Sequence, residues 1–140
     1  PHVGALMKIL AALLLAAAPL AAQMTATWEH NFAAAQKRAR AEKKVIFMDL
    51  WAEWCSPCQR LKRDVFPNPA AVAALGKVVP LSVLVQKKDG TDLAEGRDLA
   101  EKYKLEAYPT LLLVDESGKE IRRYVGYLDA VALVRFVDGK

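Results

Sequence analysis

The run Val45-Ile46-Phe47-Met48-Asp49-Leu50 passes directly into Trp51-Ala52-Glu53-Trp54-Cys55-Ser56-Pro57-Cys58. Apolar residues on both faces, interrupted only by Asp49, suit a central strand covered on both sides by other layers. Pro57 is tolerated in the first turn of a helix, which needs no donor from it. The cysteines, the only two in 140 residues, therefore stand where a buried strand turns into a helix. A chain organised around such a junction is expected to be α/β.

The flanking patterns extend that expectation. Trp28, Phe32, Ala35 and Ala39 fall at helical spacing, which predicts a first helix from about Trp28 to Lys43, capped by Thr25 or Thr27. A helix from Ser56 to Phe66 ends at Pro67-Asn68-Pro69, where Asn68 caps a short continuation closed by Gly76. Val78 to Val85 reads as a second strand, and Pro80 suggests that its ladder begins at Leu81. After the turn Lys87-Lys88-Asp89-Gly90 comes a helix from Asp92 to Tyr103, weakened by Gly96. Thr110–Val114 and Glu120–Val125 form a hairpin, and a helix from Leu128 to Val137 closes the chain. A right-handed crossover through the cysteine helix makes the first two strands parallel, while the last two pair antiparallel. Cys55 then lies beyond the carboxyl end of a strand, where open α/β sheets present their reactive groups.

At the entry to a helix, N–H groups lack partners and the dipole is positive, so a thiolate at Cys55 is favoured. Cys58 sits one turn on, on the same face and closer to the core. The pair suggests thiol–disulfide exchange, with Cys55 as nucleophile and Cys58 as resolving thiol. A structural staple is a poor alternative, because a loop closed between residues three apart barely constrains the unfolded chain. Zinc would need two further ligands, and the chain offers only His2 and His30 besides the pair. Copper(I), for which two thiolates suffice, remains a rival.

Asp49 is costly inside an apolar strand unless it faces solvent or has work to do. The working alternative is a buried carboxyl of raised pKa behind Cys58, which takes the Cys58 proton directly or through water. Pro109 begins a strand, and the spacing does not choose between cis and trans. Trp54, Pro57, Tyr108 and the Gly126-Tyr127 turn together would surround the sulfurs with an apolar patch suited to extended protein segments.

The net charge of +4 is spread along the chain with no basic block among stacking aromatics, which argues against nucleic acid as a partner. The length suits one domain. Met7-Lys8 followed by the Ile9–Ala22 run, rich in Leu and Ala, has the layout of a secretory signal peptide. That run is shorter than the roughly 20 residues that span a bilayer. The expected organisation is an upstream remnant at 1–6, a signal peptide at 7–22 and a single domain at 23–140. A periplasmic or otherwise exported location permits disulfides.

Asp49-Leu50-Trp51-Ala52-Glu53-Trp54-Cys55-Ser56-Pro57-Cys58, Tyr108-Pro109-Thr110 and Val125-Gly126 resemble the thioredoxin superfamily. Within it the chain is most similar to exported thioredoxin-like proteins and to the C-terminal domain of the periplasmic thiol-reducing electron transporter. The resemblance covers residues 27 to 138. It implies a thioredoxin fold, a central mixed sheet with helices on both faces, here preceded by an extra N-terminal helix. It also implies Cys55 as nucleophile, Cys58 as resolving thiol, Asp49 as the buried carboxylate, and Pro109 as a cis-proline whose flanking backbone pairs with substrate.

The sequence departs from thioredoxin proper at Ser56, at Tyr108 and in a longer loop from Gln86 to Asp92. No lysine is assigned beside Asp49. The expected function is an exported thiol–disulfide oxidoreductase that mainly reduces protein disulfides. It needs no cofactor, acts as a monomer and draws electrons from a membrane thiol transporter. An oxidase or isomerase of the same fold, a copper carrier and a non-catalytic interaction domain are the competing readings.

Overall fold

The computed structural model describes residues 25–140. The stretch read as a signal peptide, and the six residues before it, lie outside the described residues. The elements run α1 (Phe32–Glu42), β1 (Ile46–Ala52), α2 (Ser56–Arg60, continued by a π-helical turn Leu61–Val65), α3 (Pro69–Leu75), β2 (Val79–Gln86), α4 (Ala94–Lys102), β3 (Thr110–Val114), β4 (Glu120–Val125) and α5 (Ala130–Asp138). The strands lie in the order β2-β1-β3-β4, with β1 parallel to β2 and antiparallel to β3, and β3 antiparallel to β4.

Strand periodicity splits the core into two layers. Ile46, Met48 and Leu50 of β1 join Ala35 and Ala39 of α1 and Leu99 of α4 on one side. Phe47 faces the other side with Leu61, Val65, Leu75 and Leu133, beneath the cysteine helix, α3 and α5. Burial on both faces explains why β1 has no polar alternation apart from Asp49. Asp49 pairs in register with Ser82 on one side and Leu111 on the other, so it stands in the middle of the sheet.

Four local expectations are corrected. The first helix begins at Phe32, capped by Asn31, whose side chain accepts the Ala34 N–H at 3.0 Å. The residues before it are extended. Glu29 donates to the Pro80 carbonyl at 2.8 Å and accepts from the Ser82 N–H at 2.9 Å, so this segment satisfies the open edge of β2. Trp28 consequently leaves the stripe formed by Phe32, Ala35 and Ala39. It packs on Phe66 in the opposite layer, with ring centroids 4.8 Å apart.

Pro80 lies inside the ladder, paired with Phe47. The Val79 N–H points at β1 and donates to Val45. Strand alternation therefore turns the nitrogen of residue 80 to the outer edge, where no ladder donor is needed. Gly96 is a requirement of packing rather than a weakness of α4. A Cβ there would lie 2.5 Å from both the Leu84 carbonyl oxygen and the Val85 Cα. The last helix starts at Ala130, because Asp129 caps it and Leu128 is drawn into the core.

Candidate active site

Cys55 is the N-cap of α2, in extended conformation, just beyond the carboxyl end of β1. The Cys58 backbone N–H donates to the Cys55 sulfur at 3.2 Å. This is the place of an oxygen in an ordinary capping side chain, so one orphan donor of the first turn is spent on sulfur. The two cysteines are joined as a disulfide with Cα atoms 5.3 Å apart. Both are buried, at 3% and 1% exposure, and they pack with Ala52, Trp51 and Tyr108. Pro57 sits in the first turn and exposes its ring beside the pair.

Asp49 is only 1% exposed, which removes the solvent-facing alternative. Among the described residues its Oδ1 has no hydrogen-bond partner. Burial pushes its carboxyl up to about 7, and the Lys62 ammonium opposes that shift. Lys62 answers in kind: half-buried, it is pulled down to about 8 by desolvation, against the attraction of Asp49 and then Glu53. Its Nζ lies over the Trp51 ring, two residues along the same face of β1 as Asp49.

Lys62 is the residue the sequence reading missed. It lies four positions after Cys58, on the same helical face, and that spacing was the available signal. The π turn holds it over β1, closed by the Phe66 N–H donating to Leu61 at 2.9 Å. The indole N–H of Trp51 is also buried and unpartnered among the described residues.

The remaining residues converge from four elements. The Tyr108–Pro109 peptide is cis, and Thr110 is buried with its hydroxyl donating to Ala107 at 2.7 Å. The Gly126 N–H donates to the Pro109 carbonyl at 2.8 Å. Gly126 has φ +105° with open space where a Cβ would be, so backbone conformation rather than crowding selects glycine. Trp54 is 53% exposed and meets Tyr108 edge to face, centroids 5.7 Å apart. Tyr127, next to Gly126, lies under the Arg60 guanidinium, 4.2 Å from its ring centroid. Trp54, Tyr108 and Pro57 thus border the disulfide, while Gly126 is tied by its N–H to the cis-proline next to Tyr108.

No group of three or more His, Cys, Asp or Glu side chains converges as a metal centre among the described residues. No described helix is long and apolar enough to cross a membrane. A disulfide-bonded cysteine pair at the mouth of this four-stranded mixed sheet, wrapped by helices on both faces, is the architecture of a thioredoxin fold. Residues 32–138 match the family described as Thioredoxin-like domain, and the chain belongs to it.

The chain is 33% identical over 99 residues to the thiol:disulfide interchange protein DsbD of Pseudomonas fluorescens, a match covering 69% of this chain and 16% of that protein. It therefore spans about one sixth of the length of the curated relatives it matches. Among solved structures, a thioredoxin from Thermus thermophilus superimposes with TM-score 0.68 at 23% identity, covering 83% of this chain and 87% of that one. The oxidised C-terminal domain of Neisseria meningitidis DsbD gives 0.64 at 19% identity, covering 76% and 90%. These two establish likeness of fold.

Proposed function

We propose that the protein is an exported reductase of protein disulfides that works through a mixed-disulfide intermediate. The observation that carries this reading is the Cys58 N–H directed at the Cys55 sulfur at 3.2 Å, a contact that favours negative charge on that sulfur once the pair is reduced. Cys55 thiolate attacks one sulfur of a substrate disulfide. A Cys55–substrate bond forms, and the second substrate sulfur leaves as thiolate and takes up a proton.

Cys58 then gives its proton to Asp49, directly or through water, and attacks the Cys55 sulfur. The Cys55–substrate bond breaks, the released thiolate takes up a proton so that the substrate departs as a dithiol, and the protein is left as the Cys55–Cys58 disulfide, oxidised by two electrons. An upstream dithiol must return those electrons. The similarity to DsbD, together with the leader-like Met7–Ala22 sequence, supports a membrane thiol transporter as donor and a periplasmic location. The bordering aromatics suit an extended protein segment, and monomeric action fits one redox pair per chain.

The reading is tested with Cys58→Ser, which retains the nucleophile and lacks the resolving thiol. Reduced and mixed with insulin or a periplasmic extract, it is expected to accumulate covalent adducts that dithiothreitol dissolves. Absence of such adducts, with the variant folded, overturns the mechanism.

A further inference from the structure

The exchange chemistry above makes no use of the loop from Gln86 to Asp92. The loop is nevertheless tied to the active-site motif at three points. The Glu53 N–H donates to the Gln86 carbonyl at 3.0 Å. The Lys88 N–H donates to the Glu53 carboxylate at 2.7 Å. The Trp54 indole N–H donates to the side-chain oxygen of Gln86 at 2.6 Å.

Gln86 is the last residue of β2 and pairs with Ala52 across an irregularity in the ladder, so its backbone is fixed relative to the cysteine motif. Its amide is held at both ends. The oxygen takes the indole proton, and the nitrogen donates to the Asp92 carboxylate at 3.0 Å. Turning the amide over would set donor against donor at Trp54 and acceptor against acceptor at Asp92, so the two neighbours dictate one orientation. A glutamate would face Asp92 with like charge, and an aliphatic residue would satisfy neither end. Asp92 also reaches Tyr108, whose hydroxyl is held above its usual range first by burial and then by that carboxylate.

Trp54 has few other constraints. It is more than half exposed, and among the described residues its one ring contact is the Tyr108 edge. An exposed indole free to rotate would lose conformational entropy on meeting a partner, whereas one already fixed contributes its area at lower cost.

We propose that Gln86 is a positioning residue for substrate recognition, which holds Trp54 as a rigid aromatic wall beside Cys55 for an apolar segment of a protein disulfide substrate. The proposal rests on the reductase reading and names what that site would recognise. No part of it requires Gln86 to touch the reacting sulfurs.

The test uses the full chain with Gln86→Leu, which keeps volume and removes both polar ends. Indole N–H exchange of Trp54, followed by NMR, is expected to quicken about five-fold, the weight of one ordinary hydrogen bond. KM for insulin is expected to rise by a similar factor of about five while kcat moves less. In a Trp54→Ala background, Gln86→Leu should add nothing to KM, because its effect runs through the indole. Unchanged indole exchange overturns the proposal, and so does an undiminished rise in KM when Trp54 is already absent. If the wild-type chain does not reduce insulin, the reductase reading fails by itself and the exchange measurement alone decides the role of Gln86.

Discussion

Lys62 and Asp49 hold each other toward their charged forms from different layers of the molecule, one on the π turn of the cysteine helix and the other at the centre of the sheet. Burial works against both charges. The balance leaves the carboxyl near 7 and the ammonium near 8, so both titrate close to neutrality. A buried carboxyl so poised can accept a thiol proton and release it again, which a carboxyl of ordinary pKa does poorly.

Asp49→Asn should stabilise the protein at alkaline pH. The folded carboxyl is raised from 3.8 to about 7, so between these values the folded state binds the extra proton and stability falls as pH rises. Above 7 the full cost is present, at most about 4 kcal/mol for a shift of this size. Urea unfolding is expected to show Asn above wild type at pH 8 and near it at pH 4. Equal curves at both values would contradict the burial of an ionisable group.

The same substitution should slow substrate release at neutral pH while leaving mixed-disulfide formation intact. Release in the wild type is expected to rise with pH through about 7, as the carboxylate becomes available. In Lys62→Met, loss of the ammonium raises the Asp49 carboxyl further, and that rise should move to higher pH. Lys62→Arg should restore the wild-type position. Stopped-flow release measured across pH decides it, and a Met profile that does not move means that Lys62 has no hold on the step.

Cys55→Ser should abolish insulin reduction, because no other thiol is placed to attack from the helix cap. Cys58→Ser should retain a single thiolate whose pKa lies below the free-cysteine value of about 8.5. The thiolate absorbance of that variant, titrated in the ultraviolet, checks this. A midpoint at or above 8.5 would remove the electrostatic basis of the mechanism.

Gly96→Ala tests packing apart from chemistry. Helix propensity alone would favour alanine by about 1 kcal/mol. The overlap with Leu84 and Val85 backbone, at 2.5 Å, forces α4 away from β2. We expect a net loss of about 2 kcal/mol in denaturant unfolding, with the thiol titration unaltered. A gain in stability would show that α4 has room to move.

Much of this arrangement was legible because it is local. The strand at Val45–Leu50, the turn into helix at Cys55, Asn68 with Pro69 at the start of α3, and the Asp115–Gly118 hairpin each depend on residues within a few positions of one another. A helix cap, a proline and an alternating run carry their instructions in the neighbouring chain. The pair at 55 and 58 was visible for the same reason.

Other features needed the assembled sheet. Trp28 shares a helical spacing with Phe32, yet an open strand edge at Pro80 and Ser82 captured its segment, and Phe66 took its ring into the opposite layer. Gly96 looked like a flaw until β2 lay against it. Lys62 approaches Asp49 from 13 residues further along the chain, and Gln86 meets Trp54 from 32 residues away. Local residue order thus determined where helices and strands would form and where the reactive sulfurs would sit. Tertiary structure alone decided which distant charges and hydrogen bonds surround them, because those depend on which surfaces the folded sheet brings together.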